Sequence, residues 1–360
     1  MSQTLEQKWV AYQDFASKAM NTTNSRKDRK IMARKAILLS EDFENAGFLI
    51  GGKYDIWKEH LGKCCALMES DPVMIQKCAK EYFLSLHIGN SSDFRIAFKK
   101  KEDGYSCGTI CDVTFSGTSG KYYVKSHQNG PTERRNSVEG PPIQEILIYQ
   151  FLSTIKVSGE PHFIVPLFCN NKKVLYYAIG EMNFTLGKSL TLENADYKAL
   201  IIVDFLEFSL RLRDVSSNLG NFGQSDSGHP IIIDFMIIPK NCYKLSEDEI
   251  HRFWSTQYIS SSCLINTVIR KLKKQERQEI ILDTFNNWNM VMNIDESAQL
   301  VNKFLMNNVG KIETEGDLEK YCNDVKYNFT KIVGSITSSS GQDEKDKKEQ
   351  RKTEKKGMDP

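Results

Sequence analysis

Leu210-Arg-Leu-Arg-Asp-Val-Ser-Ser-Asn-Leu-Gly-Asn-Phe-Gly223, followed by Pro230-Ile-Ile-Ile-Asp-Phe235, decides how this chain reads. A helix-length apolar segment runs out at Arg213-Asp214, a short strand begins at Asn221, and the β-branched run Ile231-Ile232-Ile233 delivers a second acid, Asp234. Two carboxylates and an amide thus fall on one folded stretch. Phosphoryl transfer uses these residue types: one carboxylate orients the attacking hydroxyl, while an amide oxygen and a second carboxylate hold the magnesium that bridges nucleotide phosphates. A carboxylate at the end of a buried strand also needs a partner, either a metal ion or a backbone or arginine donor.

Outward from that stretch, the periodicity divides the 360 residues into parts. Residues 1–92 read as a helical N-terminal extension, with Trp9, Tyr12, Ala16 and Ala19 on one face, a break at Gly51-Gly52, and a helix opening at Asp71-Pro72 with Ile75, Ala79, Tyr82 and Leu86 as its stripe. From Phe94 the period becomes two. Strands are expected over Phe94–Phe98, Thr109–Phe115 and Lys121–Lys125, with turns at Lys99–Gly104 and Ser116–Gly120. A polar loop from His127 to Pro142 leads to a helix over Ile143–Ile155, and two more strands follow at Phe163–Cys169 and Val174–Gly180.

A helix over Asn194–Leu212 should turn Leu200, Val203, Leu206 and Leu210 inward. Beyond Asp234 the chain reads as helical. Ser246-Glu-Asp-Glu249 is a capping box before Ile250, Phe253 and Trp254, and later stripes carry Ile280, Phe285 and Trp288, then Val301, Phe304 and Leu305. Residues 335–360, rich in Ser, Lys and Glu with almost no apolar side chains, are expected to form a disordered tail.

Composition narrows the function classes. With 48 basic against 46 acidic residues the net charge is +2, too small for a broad surface that neutralises duplex nucleic acid. Nine cysteines with no pair of CxxC motifs spaced to clasp zinc read as reduced buried thiols. No apolar leader and no run of about eighteen apolar residues is present, so a soluble intracellular chain without a transmembrane segment is expected, cytoplasmic or, through the tail lysines, nuclear. The six histidines form no HExxH pair and no GxSxG elbow occurs. Arg134-Arg-Asn-Ser137 reads as a solvated loop.

Taken in order, Lys125 on a third strand, Glu145 on the next helix, Asp214 and Asn221 after a long helix, and Asp234 in Ile-Asp-Phe resemble the protein-kinase-like superfamily over about residues 93–330. The resemblance implies an α+β, two-lobed fold: a kinase-like N-lobe at 93–183 and C-lobe at 184–334, with ATP and Mg bound between them. It implies that Lys125 contacts nucleotide phosphates and is held by Glu145, that Asp214 is catalytic toward an unidentified hydroxyl substrate, and that Asn221 and Asp234 hold metal. Residue by residue, alternatives stay open: Lys125 as an exposed strand-end cation, Asp214 as a helix-terminal acid paired with Arg211 or Arg213.

Asp234-Phe-Met in place of Asp-Phe-Gly, and no Ala-Pro-Glu motif, make the resemblance that of an atypical, small-molecule or lipid-kinase-like member. Other departures carry a competing reading. Asp214 and Asn221 stand seven residues apart where the H-R-D-L-x-x-x-N signature has about five, with Asn218 at four as the other candidate. Leu212 replaces the family's His, and GxGxxG is absent although Gly104 and Gly108 flank the first turn. These departures suit a catalytically inactive pseudokinase scaffold that recruits a protein partner through its helices and tail.

Overall fold

The computed structural model describes residues 4–69, 71–86, 93–100, 107–131, 139–166, 171–238, 240–255 and 258–336. The protein is α+β, and its strand ladders are antiparallel. The chain divides into two compact units, one of residues 1–146, 160–181 and 303–315, the other of 147–159, 182–302 and 316 onward.

The first unit begins with helices α1 (Leu5–Met20), α2 (Arg26–Asn45), α3 (Gly52–Met68) and α4 (Pro72–Leu86). A capping box between Thr4 and Gln7 starts α1, whose buried residues are Trp9, Tyr12, Ala16 and Ala19, the expected face. Pro72 opens α4, where its missing N–H costs nothing. The buried face of α4 differs from the expected stripe: Met74, Ile75, Cys78, Ala79 and Phe83 are buried, while Leu86 is 51% exposed. Aromatic bulk at Phe83 rotates the seam, since it packs on Tyr122 with ring centroids 4.6 Å apart.

Strands β1 (Arg95–Lys100), β2 (Gly108–Phe115), β3 (Thr118–Ser126), β4 (Pro161–Ile164) and β5 (Tyr176–Gly180) form one sheet in the order β1-β2-β3-β5-β4. The β2–β3 turn is shorter than Ser116–Gly120: Phe115 pairs with Thr118 across Ser116 and Gly117, both at positive φ. That is the turn whose twist matches a two-residue hairpin. Gly104, the 132–138 stretch of the long loop with Ser137, and Cys169 lie outside the described residues. Helices and sheet share one apolar core, in which Trp57, Phe83, Cys111, Val124, Tyr176 and Ala178 are buried together. Helix α5 (Ile143–Thr154) follows β3, and its start is fixed from far along the chain: Gly140 N–H and Ile143 N–H donate to Glu315 at 2.8 Å each.

The second unit is built on α6 (Tyr197–Ser209), capped by Asp196, whose Oδ1 accepts from Lys198 N–H and Ala199 N–H. It is buried nearly all round, so Leu200, Val203 and Leu206 point inward without forming a stripe. The helix ends before the expected Leu212 because Arg211 turns left-handed at φ 59°. Around it lie a three-stranded sheet of β6 (Thr185–Leu186), β8 (Phe222–Gln224) and β9 (Pro230–Ile232), and a two-stranded ladder of β7 (Leu212–Arg213) with β10 (Met236–Ile237).

Helices α7 (Glu247–Trp254), α8 (Cys263–Lys271), α9 (Lys274–Asn287), α10 (Met290–Asn307) and α11 (318–336) complete the described chain. The Ser246–Glu249 capping box is present. On α9 the buried residues are Arg277, Ile281 and Thr284 rather than Ile280, Phe285 and Trp288, which are half-buried. Ser335 and Ile336 remain helical, and the rest of the expected tail, 337–360, lies outside the described residues.

Among the described residues eight cysteines are free thiols, six of them buried. No described helix is long and apolar enough to cross a membrane.

Candidate functional site

In the second unit the chain leaves α6 through two left-handed residues, Arg211 at φ 59° and Asp214 at φ 62°, with β7 between them. Such a conformation is costly for residues other than Gly, so surrounding bonds must hold it. Arg211 N–H donates to Phe208 O at 3.3 Å, and its guanidinium pairs with Glu249 at 2.8 Å. At Asp214 the main-chain carbonyl accepts from Asn221 Nδ2 at 2.6 Å. The same amide lies 3.4 Å from Asp214 Oδ2, and Ser217 Oγ lies 3.3 Å from Oδ1. Asp214 is thus an exposed carboxylate with two long contacts, and no arginine pairs with it among the described residues.

The seven-residue interval to Asn221 is taken up inside the loop. Asn218 Oδ1 accepts from Gly220 N–H at 3.0 Å and Asn218 O accepts from Asn221 N–H at 2.9 Å, a local turn that uses the extra residues. Asn218 therefore serves its own loop, and Asn221, buried, is the amide that reaches Asp214. Glu207 Oε2 holds the loop from the other side by accepting from Ser216 N–H at 3.1 Å; burial pushes its carboxyl up while the Ser216 donors pull it down.

Asn221 also receives Asp234. Its main-chain carbonyl accepts from Ile233 N–H at 2.9 Å and lies 3.4 Å from Asp234 N. Asp234 Oδ1 accepts from Phe235 N–H at 2.9 Å and from the Tyr149 hydroxyl at 3.4 Å. Two residues on, Met236 pairs with Arg213 in the β7–β10 ladder, returning the strand to the one that carries Asp214. Asp214, Asn221 and Asp234 are brought together by these bonds. Ser217 and Tyr149 belong with them and were missed in the sequence, though Tyr149 stands four residues beyond Glu145 on α5.

In the first unit Lys125 lies on β3, half-buried, opposite Gly108 on β2 and Tyr177 on β5. Residues paired across a ladder project to one face, so Lys125 and Tyr177 share theirs. The Tyr177 hydroxyl donates to Glu145 Oε2 at 3.3 Å, and Gln128 N–H donates to the same oxygen at 3.0 Å. Glu145 is a fully buried carboxylate held by two donors, on the side of the sheet that Lys125 faces. Tyr177 was not singled out in the sequence; its place in an apolar strand concealed it.

The donor chemistry suits a hard divalent cation. Asn221 Oδ1 makes no hydrogen bond among the described residues, and the Asn221 main chain accepts from the strand end that carries Asp234, both side chains offering the oxygen donors that hard cations take. Among the described residues no group of three or more His, Cys, Asp or Glu side chains is arranged to hold a metal by itself. Magnesium bound through one or two carboxylates and the phosphates of a substrate needs no such cage. No protein-family model matches the chain, and no curated protein matches it.

Proposed function

We propose that this protein is an atypical kinase-like phosphotransferase that binds ATP with Mg and passes the γ-phosphoryl group to a hydroxyl. The observation that carries the reading is the convergence of Asp214, Asn221 and Asp234 through the bonds Asn221 Nδ2 to Asp214 O at 2.6 Å and Ile233 N–H to Asn221 O at 2.9 Å. The topology supports it: five antiparallel strands in the order β1-β2-β3-β5-β4, with α5 between β3 and β4, then α6, β7, the β8–β9 hairpin and a strand returning to β7, as in the two-lobed kinase-like fold.

The roles follow from the chemistry of each group. Asp214, exposed and loosely hydrogen-bonded, accepts the proton of the attacking hydroxyl. Asn221 and Asp234 would hold the magnesium, which would supply positive charge against the phosphates. Within the first unit Glu145, fixed by Tyr177 and Gln128, lies on the face of the sheet that carries Lys125, the pairing of carboxylate and cation that this reading calls for. Tyr149 fixes the rotamer of Asp234.

A second reading, a pseudokinase scaffold, is favoured by one observation. Asp234 Oδ1 is already engaged by Phe235 N–H and the Tyr149 hydroxyl, so a purely structural duty accounts for that acid. A thermal-shift titration separates the two, because a ligand that binds only the folded state raises its stability by mass action. Millimolar ATP with magnesium should raise the melting temperature, Asp234→Asn should erase the magnesium-dependent part, and Asp214→Asn should keep the shift while abolishing phosphoryl transfer. No shift at any nucleotide concentration would leave the scaffold reading standing.

A further inference from the structure

A cavity of about 370 Å³ opens beside Asp214 in the second unit, and its wall is rich in cations: Arg211, Arg213 and Lys240 line it. We infer that this cavity binds the anionic group of the phosphoryl acceptor, making the acceptor a small phosphorylated alcohol whose free hydroxyl lies at Asp214. The inference rests on the reading of Asp214 as the proton acceptor.

The three cations differ in how they are held. Arg211 is fixed, paired with Glu249 through Nη1 at 2.8 Å, and its buried Nε has no hydrogen-bond partner among the described residues. Arg213 and Lys240 are exposed, and neither pairs with a carboxylate among the described residues. Both stand on the same backbone frame, since Arg213 pairs with Met236 across the β7–β10 ladder and Lys240 follows Met236 by four residues.

The opposing charges are accounted for. Glu207 also lines the cavity, but it accepts from Ser216 N–H, and burial holds its carboxyl above the usual range. Glu249 is spent on Arg211. That leaves Asp214 as the exposed carboxylate facing two unpaired cations. A neutral polyol has no use for those cations, and a cationic acceptor would be repelled.

A phosphomonoester carries roughly −1.5 to −2 charge and three acceptor oxygens, which match a guanidinium fork and an ammonium together. The cavity volume sits near the lower end of the roughly 300–1,000 Å³ typical of small-molecule sites, which favours a free metabolite over a phosphorylated peptide. In the transfer step the acceptor oxygen bonds to the γ-phosphorus of ATP as the bond from that phosphorus to the β–γ bridging oxygen breaks. Its hydroxyl proton passes to the Asp214 carboxylate, and the electron pair leaves on ADP.

The test uses the full chain and glycerol 3-phosphate as probe, against glycerol at equal concentration and a phosphoserine peptide, at matched ionic strength. Calorimetric titration should show glycerol 3-phosphate binding and glycerol not binding. Arg213→Gln and Lys240→Gln should each weaken that binding about tenfold, while the magnesium-dependent ATP shift stays as in the wild type. If Arg213→Gln fails to fold, Lys240→Gln, an exposed loop position, carries the test. Equal binding of glycerol and glycerol 3-phosphate, unchanged affinity in both variants, or binding of the peptide alone would overturn the proposal. An ATP shift without glycerol 3-phosphate binding removes this inference alone. Glycerol 3-phosphate binding without an ATP shift removes the phosphotransferase reading and leaves an anion site.

Discussion

The two units close their interiors by different means. In the first, rings and aliphatic chains do most of the work: Phe43 packs on Trp9, Tyr12 and Phe48 with centroids 5.5–5.7 Å apart, and the same core runs on through Phe83 into the sheet. In the second, buried polar side chains tie loops to helices. Asn328 on α11 accepts from Leu245 N–H at 2.7 Å and donates to Ser209 O and Tyr243 O, Asp324 accepts from Tyr243 N–H, and the Tyr321 hydroxyl donates to Leu210 O. Apolar packing is non-directional and fixes a shape; a hydrogen bond fixes a backbone atom. The second kind surrounds the loops that carry Asp214 and Lys240, where atomic placement matters more than bulk.

The comparison predicts opposite signatures. Phe43→Ala removes a fully buried ring among three others and should cost about 4 kcal/mol in urea unfolding, the largest effect expected here. The calorimetric titration of glycerol 3-phosphate should nevertheless be unchanged for whatever fraction stays folded. A loss of anion affinity without a loss of stability would show that the aromatic cluster is not merely packing.

A pH series probes the polar interior. Asp204 on α6 is buried, and burial pushes its carboxyl up to about 7 despite the charge of Arg277 and the hydroxyls of Ser260 and Tyr258. Tyr258 donates to Asp204 at 3.1 Å, and Arg277 reaches Phe253 O at 3.1 Å. Because the folded value lies above the unfolded one, the fold favours the protonated acid. Its stabilising contribution is present below about pH 4 and is lost as pH rises toward 7. Asp204→Asn should therefore match the wild type near pH 4 and exceed it by up to about 4 kcal/mol at pH 8, read by denaturant midpoints. Parallel curves across that range would place the carboxyl in its ordinary range and remove Asp204 from the polar core.

How much of this was legible follows from the same contrast. Alternation of period two announced β1, β2 and β3, and the helical period announced α1, because local spacing alone sets which side chains face inward. The order of Lys125, Glu145, Asp214, Asn221 and Asp234 was readable for the same reason: each sits at the end of an element. The roles of Asp204, Arg277 and Asn328 left no periodic trace, since a polar residue in a helix looks solvent-facing until its partner arrives from another element. Glu315 is the extreme case. It receives bonds from Gly140 and Ile143 across more than 170 residues, and a Cβ on Gly140 would come 2.3 Å from Glu313 O, so only glycine fits there. The Asn218 turn that takes up the long Asp214–Asn221 interval depends on a side chain bonding its own loop, which counting residues does not reveal.

Asn328 carries the next prediction. Asn328→Leu keeps the volume roughly constant but leaves Leu245 N–H, Ser209 O and Tyr243 O without their partner. Stability should fall by about 2 kcal/mol, the desolvation cost of stranded backbone groups, and hydrogen exchange at Leu245 should accelerate. Unlike Phe43→Ala, this variant should also weaken the anion titration, because the 240–245 segment positions Lys240.

The smallest stability effect should come with the most specific functional one. Glu249 pairs with Arg211 at 2.8 Å, with side-chain exposures of 29% and 19%. Burial alone would raise the Glu249 carboxyl, but the Ser246 donors and Arg211 outweigh it and hold it below its ordinary value. A partly exposed pair of this kind contributes under about 1 kcal/mol after solvent screening. Glu249→Gln should thus barely move the urea midpoint. It strips a compensating charge from a cation on the cavity wall, so the glycerol 3-phosphate affinity should rise, and rise more at low ionic strength than at high. If affinity falls instead, Arg211 acts through the position Glu249 gives it rather than through its charge, and the polar scaffold, not the summed electrostatics, governs the cavity.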